Sequence, residues 1–331
     1  MAELAVVIVS WNVRDLLASC LRSLFADLDR WGGATEVWVV DNASADGTPE
    51  MVAQDFPAVH PIASPENLGF AAGNNLALRK ILAEEDASVE RRGSNVKRQT
   101  SSGKRQAANV KRHPSFVWLL NPDTEVLPGA TAALVEALEA HPRVGVAGAK
   151  LLYPDGSLQH AAFRFPGLLQ LAFDLLPLPA RLYETPLNGR YPRRLYEGEA
   201  PFIVDHPLGA SMMVRTEAIR QVGLMDEGYR MYCEEIDWCW RMREAGWKAL
   251  CVPTAQVIHH AGRSTGQVPI PSFVNLWTGR ARLYRKHHGP VRRRLARTLV
   301  RLGMRRRMRG ASQEWRGAYE AVLEAWDWVS G

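Results

Sequence analysis

The sequence lacks any long hydrophobic run. Its nearest candidate, residues 168–178, is interrupted by Asp174 and Pro177 and falls short of the ~20 apolar residues that a membrane-spanning helix needs. The apolar stretch at residues 4–9 is too short for the apolar region of a signal peptide and runs directly into Ser10. We therefore expect no membrane span and no secretory leader, and we interpret residues 4–10 as a first strand.

Cysteine is scarce and is not arranged for cross-linking or zinc binding. The chain has four, Cys20, Cys233, Cys239 and Cys251, and their spacing matches no zinc motif. Without a secretory context, disulfides are not expected either. The sequence predicts reduced, buried thiols in a cytoplasmic protein.

A glycine-rich dinucleotide motif is also missing. A nicotinamide-dependent oxidoreductase would place Gly-x-Gly-x-x-Gly after the first strand, whereas this chain has Ser-Trp-Asn-Val-Arg at positions 10–14. An oxidoreductase remains an alternative because early strand–helix–strand units fit it as well, but its fingerprint is absent.

Acidic residues are absent from residues 280–310, which carry thirteen Lys and Arg. Residues 87–113 carry eight Lys and Arg against one acid, Glu90. Since the whole chain has a net charge of only +6, the remainder is strongly acidic. A nucleic-acid-binding domain would have a basic core face. A non-enzymatic nucleic-acid or membrane adaptor stays open as a second alternative, although it leaves the carboxylates of the acidic body unexplained.

The first 150 residues alternate apolar strand patterns with helical patterns. Strands are predicted at residues 4–10, 36–40, 116–120 and 144–147, with helices from Thr48, over residues 71–83 and from Pro128 between them. This alternation predicts an α/β fold with a mostly parallel, Rossmann-like mixed sheet flanked by helices. Further on, the sequence predicts a hairpin around Asp155-Gly156, a strand at 211–215, a helix at 234–245 and a short strand at 257–259.

Three segments depart from that pattern. Residues 84–113 are polar, basic and poor in apolar side chains, so we predict a disordered basic insertion. Residues 163–207 contain seven prolines and few periodic runs, so a long variable loop region is expected. We predict one domain over residues 1–288, followed by a basic helical extension over residues 289–331.

Two acids stand directly after the apolar strand at 116–120. Asp123 and Glu125 follow it with Asp-x-Glu spacing, and ligands of open α/β sheets bind at the carboxyl ends of strands. Two carboxylates there can share one hard divalent cation, which commonly bridges the phosphates of a nucleotide. The competing interpretation is a plain polar turn.

Six segments occur together in an order that resembles a known family. They are residues 9–12 (Val-Ser-Trp-Asn), 39–48 (Val-Val-Asp-Asn-Ala-Ser-Ala-Asp-Gly-Thr), 67–75 (Asn-Leu-Gly-Phe-Ala-Ala-Gly-Asn-Asn), 120–125 (Leu-Asn-Pro-Asp-Thr-Glu), 207–213 (Pro-Leu-Gly-Ala-Ser-Met-Met) and 232–241 (Tyr-Cys-Glu-Glu-Ile-Asp-Trp-Cys-Trp-Arg). Together they resemble family 2 glycosyltransferases of the GT-A fold, particularly the rhamnosyltransferase-like branch.

The resemblance implies a nucleotide-sugar site. Asp41 is expected to accept a hydrogen bond from the imide N–H of a uracil or thymine ring, while Asp46 shapes the turn. Residues expected to contact the nucleotide-sugar are Ser10, Asn12, Asp41, Asn67, Gly69, Asn75 and Asp123. The resemblance also implies Mg²⁺ or Mn²⁺ on the donor diphosphate, held by Asp123, Glu125 and His259.

Three acids stand at the start of the predicted helix at 234–245, and the resemblance implies that they carry the chemistry. Glu235 is expected as the general base, with Glu234 as the alternative, and Asp237 as an orienting residue, for example toward Arg241. Three acids within four residues also suit the positive end of a helix dipole, and their mutual repulsion raises at least one pKa.

The implied reaction is inverting transfer of a sugar from a dTDP- or UDP-sugar to a hydroxyl of a glycan or lipid-linked glycan. The donor is expected to be dTDP-rhamnose and the sugar L-rhamnose.

The basic tail adds a membrane expectation. Apolar residues at 291, 295, 299 and 302 alternate with arginines, which predicts a cationic amphipathic helix suited to an anionic membrane surface. A solvated helix packed on the domain is the alternative. A second apolar face, at residues 315–326, is expected either at the interface or packed on the body. We expect a cytoplasmic protein that is peripheral at the inner face of the cell membrane and uses residues 280–310 for contact.

Overall fold

The computed structural model describes residues 4–96, 114–262, 265–327 and 329. Apolar runs form strands that alternate with helices along the first half of the chain. The strands are β1 Leu4–Ser10, β2 Thr35–Asp41, β3 His60–Ala63, β4 Phe116–Leu120, β5 Thr124–Val126, β6 Val144–Leu152, β7 Leu158–Gln159, β8 Ala162–Phe163, β9 Phe202–Val204, β10 His206–Pro207, β11 Ser211–Arg215 and β12 Lys248–His259.

The helices lie between these strands and after them. They are α1 Arg14–Trp31, α2 Thr48–Asp55, α3 Gly69–Val96, α4 Ala130–Ala140, α5 Leu168–Leu175, α6 Ala180–Tyr183, α7 Arg193–Glu197, α8 Thr216–Val222, α9 Glu234–Glu244, α10 Pro269–His287, α11 Pro290–Met308 and α12 Gln313–Asp327. Short 3₁₀ turns cover Pro186–Asn188 and Thr265–Gln267. None of the helices described is long and apolar enough to cross a bilayer.

One mixed sheet organises the fold. Its main order is β3-β2-β1-β4-β11-β6-β12-β5, with β7 beside β6 and β9 beside β12. The pairs β3–β2, β2–β1, β1–β4 and β6–β12 are parallel, whereas β11 is antiparallel to both β4 and β6. The carboxyl ends of β1, β2, β4, β6 and β12 therefore share one edge. The chain order reverses between β1 and β4, which is where ligands of open sheets bind.

Burial divides between two cores. The larger core surrounds the sheet, with β1 and β4 covered on both faces and α1 packed through Leu17, Leu21 and Leu24 at helical spacing. The second core joins α5, α10, α11 and α12 through Leu171, Trp277, Tyr284, Val300 and Trp326, among others. The described cysteines are free thiols, and each of them is buried.

Most predicted elements are observed, and several run further than predicted. The hairpin forms where β6 meets β7 around Gly156, whose φ of 81° is left-handed. Helix α3 continues to Val96, so the backbone is helical through the first part of the predicted insertion at 84–113. Residues 97–113 lie outside the described residues. The predicted loop region at 163–207 contains the short helices α5, α6 and α7.

Candidate active site

The shared carboxyl edge of the sheet opens into a cavity of about 220 Å³. Ser10 ends β1, Asn121 and Asp123 follow β4, and His259 ends β12, so several strand ends and turns contribute to one space. The loop before β11 and the start of α9 contribute to the same space. The lining includes Ser10, Asn42, Asn67, Gly69, Asn121, Asp123, Gly209, Tyr232, Glu234, Glu235 and His259.

Several buried polar atoms at this edge have no hydrogen-bond partner within the described part of the chain. They are Ser10 Oγ, Asp41 Oδ1, Asn42 Oδ1, Asn121 Oδ1 and Glu234 Oε2. A buried polar atom left unpaired costs about 1–3 kcal/mol. Their concentration around one cavity is typical of a site that a polar ligand completes.

Asp41 lies at the end of β2, beside the lining residues Ser10 and Asn42. Its Oδ2 accepts a hydrogen bond from the Ser44 amide at 3.0 Å, which leaves Oδ1 as the unpaired atom. Asn12 is engaged in the same turn, because its Oδ1 accepts from the Ala45 amide at 2.8 Å. Asp46 receives hydrogen bonds from the Arg14 amide and from Thr48, so it shapes the turn.

The loop before α3 approaches the cavity without side-chain bulk. Asn67 Oδ1 accepts from the Gly69 amide at 2.9 Å, and the Gly69 carbonyl accepts from Asn42 Nδ2 at 3.1 Å. Gly69 has φ 83°, and a Cβ there would lie 2.1 Å from the Arg230 carbonyl oxygen. Only glycine fits this position, so the turn and the segment before α9 are packed directly on each other.

Asn75 is not brought into the cavity. Its side chain bonds to the Met225 backbone and, through Nδ2 at 2.8 Å, to Glu227 Oε1. The amide is turned away from the strand ends and ties α3 to the segment that follows α8. The predicted contact of Asn75 with a nucleotide-sugar therefore has no support from its position.

Asp123 and His259 lie together on the cavity wall. Their atoms Oδ1 and Nε2 are 3.4 Å apart, and both side chains are largely buried. His259 Nδ1 is 2.8 Å from Gln159 Oε1, which can only accept; in the neutral ring with its proton on Nδ1, the lone pair of Nε2 lies beside the carboxylate. A carboxylate oxygen and an imidazole nitrogen this close together on a cavity wall are a suitable pair of ligands for one cation.

Glu125 is not brought to this pair. It lies on β5, opposite Ile258 of β12, and neighbouring residues of a strand point to opposite faces. Thr124 is buried, whereas the Glu125 side chain is 40% exposed and accepts a hydrogen bond from His260 Nε2 at 2.7 Å. Glu125 is predicted to hold the cation with Asp123, but it belongs to strand β5, and that strand directs its side chain away from the cavity.

Glu234 and Glu235 begin α9 and line the same cavity as Asp123. Burial raises the pKa of Glu235 to about 7. Burial and the adjacent charge of Glu235 raise the pKa of Glu234 well above its ordinary value. Burial thus favours the protonated form of both carboxyls, and Glu235 is poised to gain or lose a proton near neutral pH.

Asp237, on the next turn of the same helix, is fully buried outside the cavity lining. Its carboxylate is within 2.6 Å of Lys286 Nζ, 2.8 Å of His287 Nε2 and 2.9 Å of Arg241 Nε. Burial alone would raise the pKa of Asp237, but hydrogen bonds from these three side chains outweigh it and hold the pKa well below its ordinary value. Asp237 thus fixes α9 to α10, and its predicted contact with Arg241 is present.

The entry to α9 has an unusual backbone. Tyr232 and Cys233, two successive residues before Glu234, both adopt left-handed φ angles of 71° and 72°. This conformation is costly for non-glycine residues, and it concentrates at functional sites. The two residues turn the chain so that Tyr232, Glu234 and Glu235 all face the cavity.

Sequence reasoning did not single out Asn42, Asn121 or Tyr232. Asn42 and Asn121 could have been found, because each directly follows an apolar strand at the shared edge of the sheet. Tyr232 does not follow a predicted strand. Its place in the cavity depends on the left-handed backbone of Tyr232 and Cys233, which their residue types do not predict.

This mixed α/β sheet with a polar cavity at its carboxyl edge is the architecture of nucleotide-sugar glycosyltransferases of the GT-A fold. A solved structure, GalNAc-T7 with UDP, GalNAc and Mn²⁺, shares the fold with a TM-score of 0.52 and 16% identity. The match covers 78% of this chain and 43% of that one.

Sequence comparison gives the family. The profile of glycosyl transferase family 2 matches residues 5–84. An N-acetylglucosaminyl-diphospho-decaprenol L-rhamnosyltransferase of Mycobacterium tuberculosis is 30% identical over 266 residues, which is 80% of this chain and 78% of that protein. Rhamnosyltransferase WbbL of Escherichia coli is 42% identical over 59 residues, 18% of this chain and 22% of that protein. The chain belongs to the family 2 glycosyltransferases, in their rhamnosyltransferase-like branch.

Proposed function

We propose that this glycosyltransferase transfers L-rhamnose from dTDP-rhamnose to a hydroxyl of a lipid-linked glycan, with inversion at the anomeric carbon. The observation that carries the proposal is the arrangement of one cavity. Asp123, His259, Glu234 and Glu235 all line it, and unpaired polar atoms surround the strand ends. Such a cavity can hold a diphosphate and a reacting sugar together.

The nucleoside end of the donor fits the turn after β2. Asp41 Oδ1 is buried and unpaired within the described residues, so it can accept a hydrogen bond from the imide N–H of thymine or uracil. Gly69 lets the backbone approach the base or the sugar closely, and Ser10 Oγ and Asn42 Oδ1 offer further unpaired atoms. Thymine and uracil share this imide, so Asp41 does not select between dTDP and UDP.

The residues present fit a divalent cation on the diphosphate. No group of three His, Cys, Asp or Glu side chains within the described ranges could hold one alone. We assign Asp123 and His259 as its two protein ligands, with diphosphate oxygens and water completing the set. A carboxylate suits Mg²⁺ or Mn²⁺, and an imidazole favours the transition metal. When bound, the cation supplies Lewis acidity that offsets charge on the departing diphosphate.

Glu235 is the proposed base. Its carboxylate takes the proton from the acceptor hydroxyl while that oxygen bonds to the anomeric carbon. The bond from this carbon to the diphosphate oxygen breaks at the same time, and dTDP leaves from the opposite face. Burial and the charge of Glu235 raise the pKa of Glu234, which favours the protonated form that can donate a hydrogen bond to a sugar oxygen. Asp237 holds α9 so that Glu235 keeps its position.

The acceptor is proposed from the relatives. The mycobacterial relative is named for transfer of L-rhamnose to N-acetylglucosaminyl-diphospho-decaprenol. By analogy, the acceptor here is a sugar carried on a polyprenyl diphosphate. Such an acceptor is embedded in a bilayer, so we propose that the protein works peripherally at the inner face of the cell membrane.

The donor site is tested by titration calorimetry with dTDP and UDP, with and without Mn²⁺. We expect binding that strengthens at least tenfold with Mn²⁺ and that loses this gain in Asp123→Ala and His259→Ala. Glu125→Gln is the matched control, because Glu125 contacts His260 outside the cavity, and it should keep the gain. Equal binding with and without metal would refute the metal assignment.

Transfer itself is tested with dTDP-rhamnose and a soluble short-chain analogue of N-acetylglucosaminyl-diphospho-lipid. The expected product has the anomeric configuration inverted relative to the donor, as read by NMR. Retention of configuration, or binding of NAD in place of a nucleotide-sugar, would overturn the proposed reaction.

A further inference from the structure

Helix α11 has two apolar faces, and only one of them is used by the fold. Ala296, Val300 and Met304 point inward and are buried in the second core with α5, α10 and α12. Val291, Leu295 and Leu302 are exposed by 68%, 50% and 63% of their surface. Leu299, which the sequence pattern assigned to the same stripe, is half-buried at its edge and packs against the second core.

The exposed apolar residues form one ridge. At about 100° per residue, Val291, Leu302 and Leu295 fall within an arc of about 40° on the helix surface. Arg294 and Arg305 lie on one side of this ridge, and Arg292 and Arg306 lie on the other. The structure shows all four of these arginines as exposed. We call the three apolar residues and these four arginines together the α11 ridge.

Three of the other four arginines of α11 make contacts within the fold. Arg297 and Arg301 pair with Asp327 of α12 at 2.9 and 3.6 Å, and Arg307 donates to the Asp174 carbonyl of α5. These contacts lie on the inward side and hold the helix in a fixed rotation. Packing and ion pairs on the other side of α11 set the rotation of the helix, and the ridge consequently faces outward.

More exposed apolar surface lies on the neighbouring helix. Leu169 of α5, Leu176 directly after it and Leu187 in the 3₁₀ turn are also exposed. Helix α5 touches α11 closely, since a Cβ on Gly303 would lie 2.5 Å from Leu175 Cδ2. Exposed leucines on α5 and on α11 thus belong to packed neighbours.

We propose that the α11 ridge docks the protein on an anionic phospholipid bilayer. Val291, Leu295 and Leu302 enter the interface between headgroups and acyl chains, and the flanking arginines bind the headgroup phosphates on either side. Helix α11 carries no acid, so its charge complements such a surface along its whole length. The docking itself does not depend on the proposed function. Only its role, which is to bring the protein to a lipid-linked acceptor, rests on that function.

Charge and apolar residues together favour a bilayer over nucleic acid. A phosphate backbone is bound by basic side chains, and bases are stacked on aromatic ones, whereas the ridge offers leucine and valine between its arginines. An apolar ridge with basic rows on both sides fits an interface that is apolar at depth and anionic above.

The test is flotation of the full-length protein with vesicles of phosphatidylglycerol and phosphatidylcholine, compared with phosphatidylcholine alone. Wild type should float with the anionic vesicles. The double variant Leu295→Gln/Leu302→Gln should lose affinity by about tenfold or more, and Arg294→Gln/Arg305→Gln by about tenfold or more as well. Ile203→Gln is the control, because Ile203 is exposed on β9, away from α11, and it should bind like wild type.

Folding and catalysis are checked separately. Each variant should keep the wild-type melting temperature and the wild-type turnover of a soluble acceptor without vesicles, so a failure of the proposed reaction would not change the vesicle result. Equal binding to neutral vesicles, unchanged binding of Leu295→Gln/Leu302→Gln, or displacement of the vesicles by a DNA duplex would each overturn the proposal.

Discussion

At the scale of single residues, Glu234 and Glu235 are adjacent carboxyls at the cavity, and burial raises the pKa of both. In Glu235→Gln the base is lost, and we expect kcat to fall by about 10³-fold, in the range that general-base loss produces. Glu234→Gln should fall by less than about tenfold, because an amide can donate the hydrogen bond that a protonated carboxyl donates. Turnover and donor binding measured for both variants test whether Glu235 is the base. A larger loss of turnover in Glu234→Gln than in Glu235→Gln would identify Glu234 as the base.

The pH dependence follows from the same pair. Burial raises the pKa of Glu235 to about 7, and the base acts only when it has lost its proton. We therefore expect kcat/KM to rise about tenfold per pH unit below pH 7 and to level off above it. A profile measured with saturating metal checks this, and a flat profile between pH 5 and 8 would contradict it.

Single positions also show how far sequence reasoning reaches. The resemblance to family 2 glycosyltransferases predicts Asp123, Glu235 and His259 at one site, and the fold brings all three into the lining of one cavity. It places Glu125 and Asn75 there too, but side-chain direction depends on neighbours distant in sequence. Pairing with β12 turns Glu125 outward, and the segment after α8 captures Asn75.

At the scale of elements, β1 and β4 have the bounds that their apolar runs predict. For strand β12 the sequence predicts only the last three residues, although the strand spans Lys248–His259. Pro253 lies inside a register shift between Val252 and Gln256, and proline cannot donate to the ladder. The residue pattern around Pro253 therefore does not predict a strand. The strand continues nevertheless, because β12 pairs with β6 on both sides of the register shift.

The turn before α3 makes a prediction at this scale. In Gly69→Ala the new Cβ meets the Arg230 carbonyl at 2.1 Å, so the turn or the segment before α9 must move. We expect nucleotide affinity and turnover to fall at least tenfold. Gly129→Ala is the control, because Gly129 also has a left-handed φ of 89°, but a Cβ added there would meet open space. Both lose stability through backbone strain, by about 1 kcal/mol, and only Gly69→Ala should lose binding.

At the scale of the whole molecule, the second core crosses the predicted boundary at residue 288. Trp277 and Tyr284 of α10 pack with Trp326 of α12, and Trp326 Nε1 donates to the Trp277 carbonyl at 3.0 Å. The aromatic face at 315–326 therefore packs on the body, which is one of the two alternatives that the sequence left open.

Truncation measures this dependence. A chain ending at residue 288 should expose Trp277 and Tyr284 and should aggregate or melt far below the full-length protein. Trp326→Ala should cost about 3–5 kcal/mol in free energy of unfolding, since it empties a buried site. Leu302→Ala, on the exposed face, should stay within about 0.5 kcal/mol. A truncated chain as stable as the full-length protein would show that residues 289–331 are an independent appendage.

Helix α10 contacts both the helix that carries the proposed base and the second core. Its Lys286 and His287 hold Asp237 of α9, and its Trp277 and Tyr284 are embedded beside α11. With 19 residues it is about 28 Å long, and no flexible linker stands between the α11 ridge and the base. If the ridge lies on a bilayer, the cavity is held at one height and tilt above it. Enzyme and acceptor then search for each other in two dimensions with their orientation already set. The same lipid-linked acceptor should therefore give a higher kcat/KM in anionic vesicles than in neutral detergent micelles.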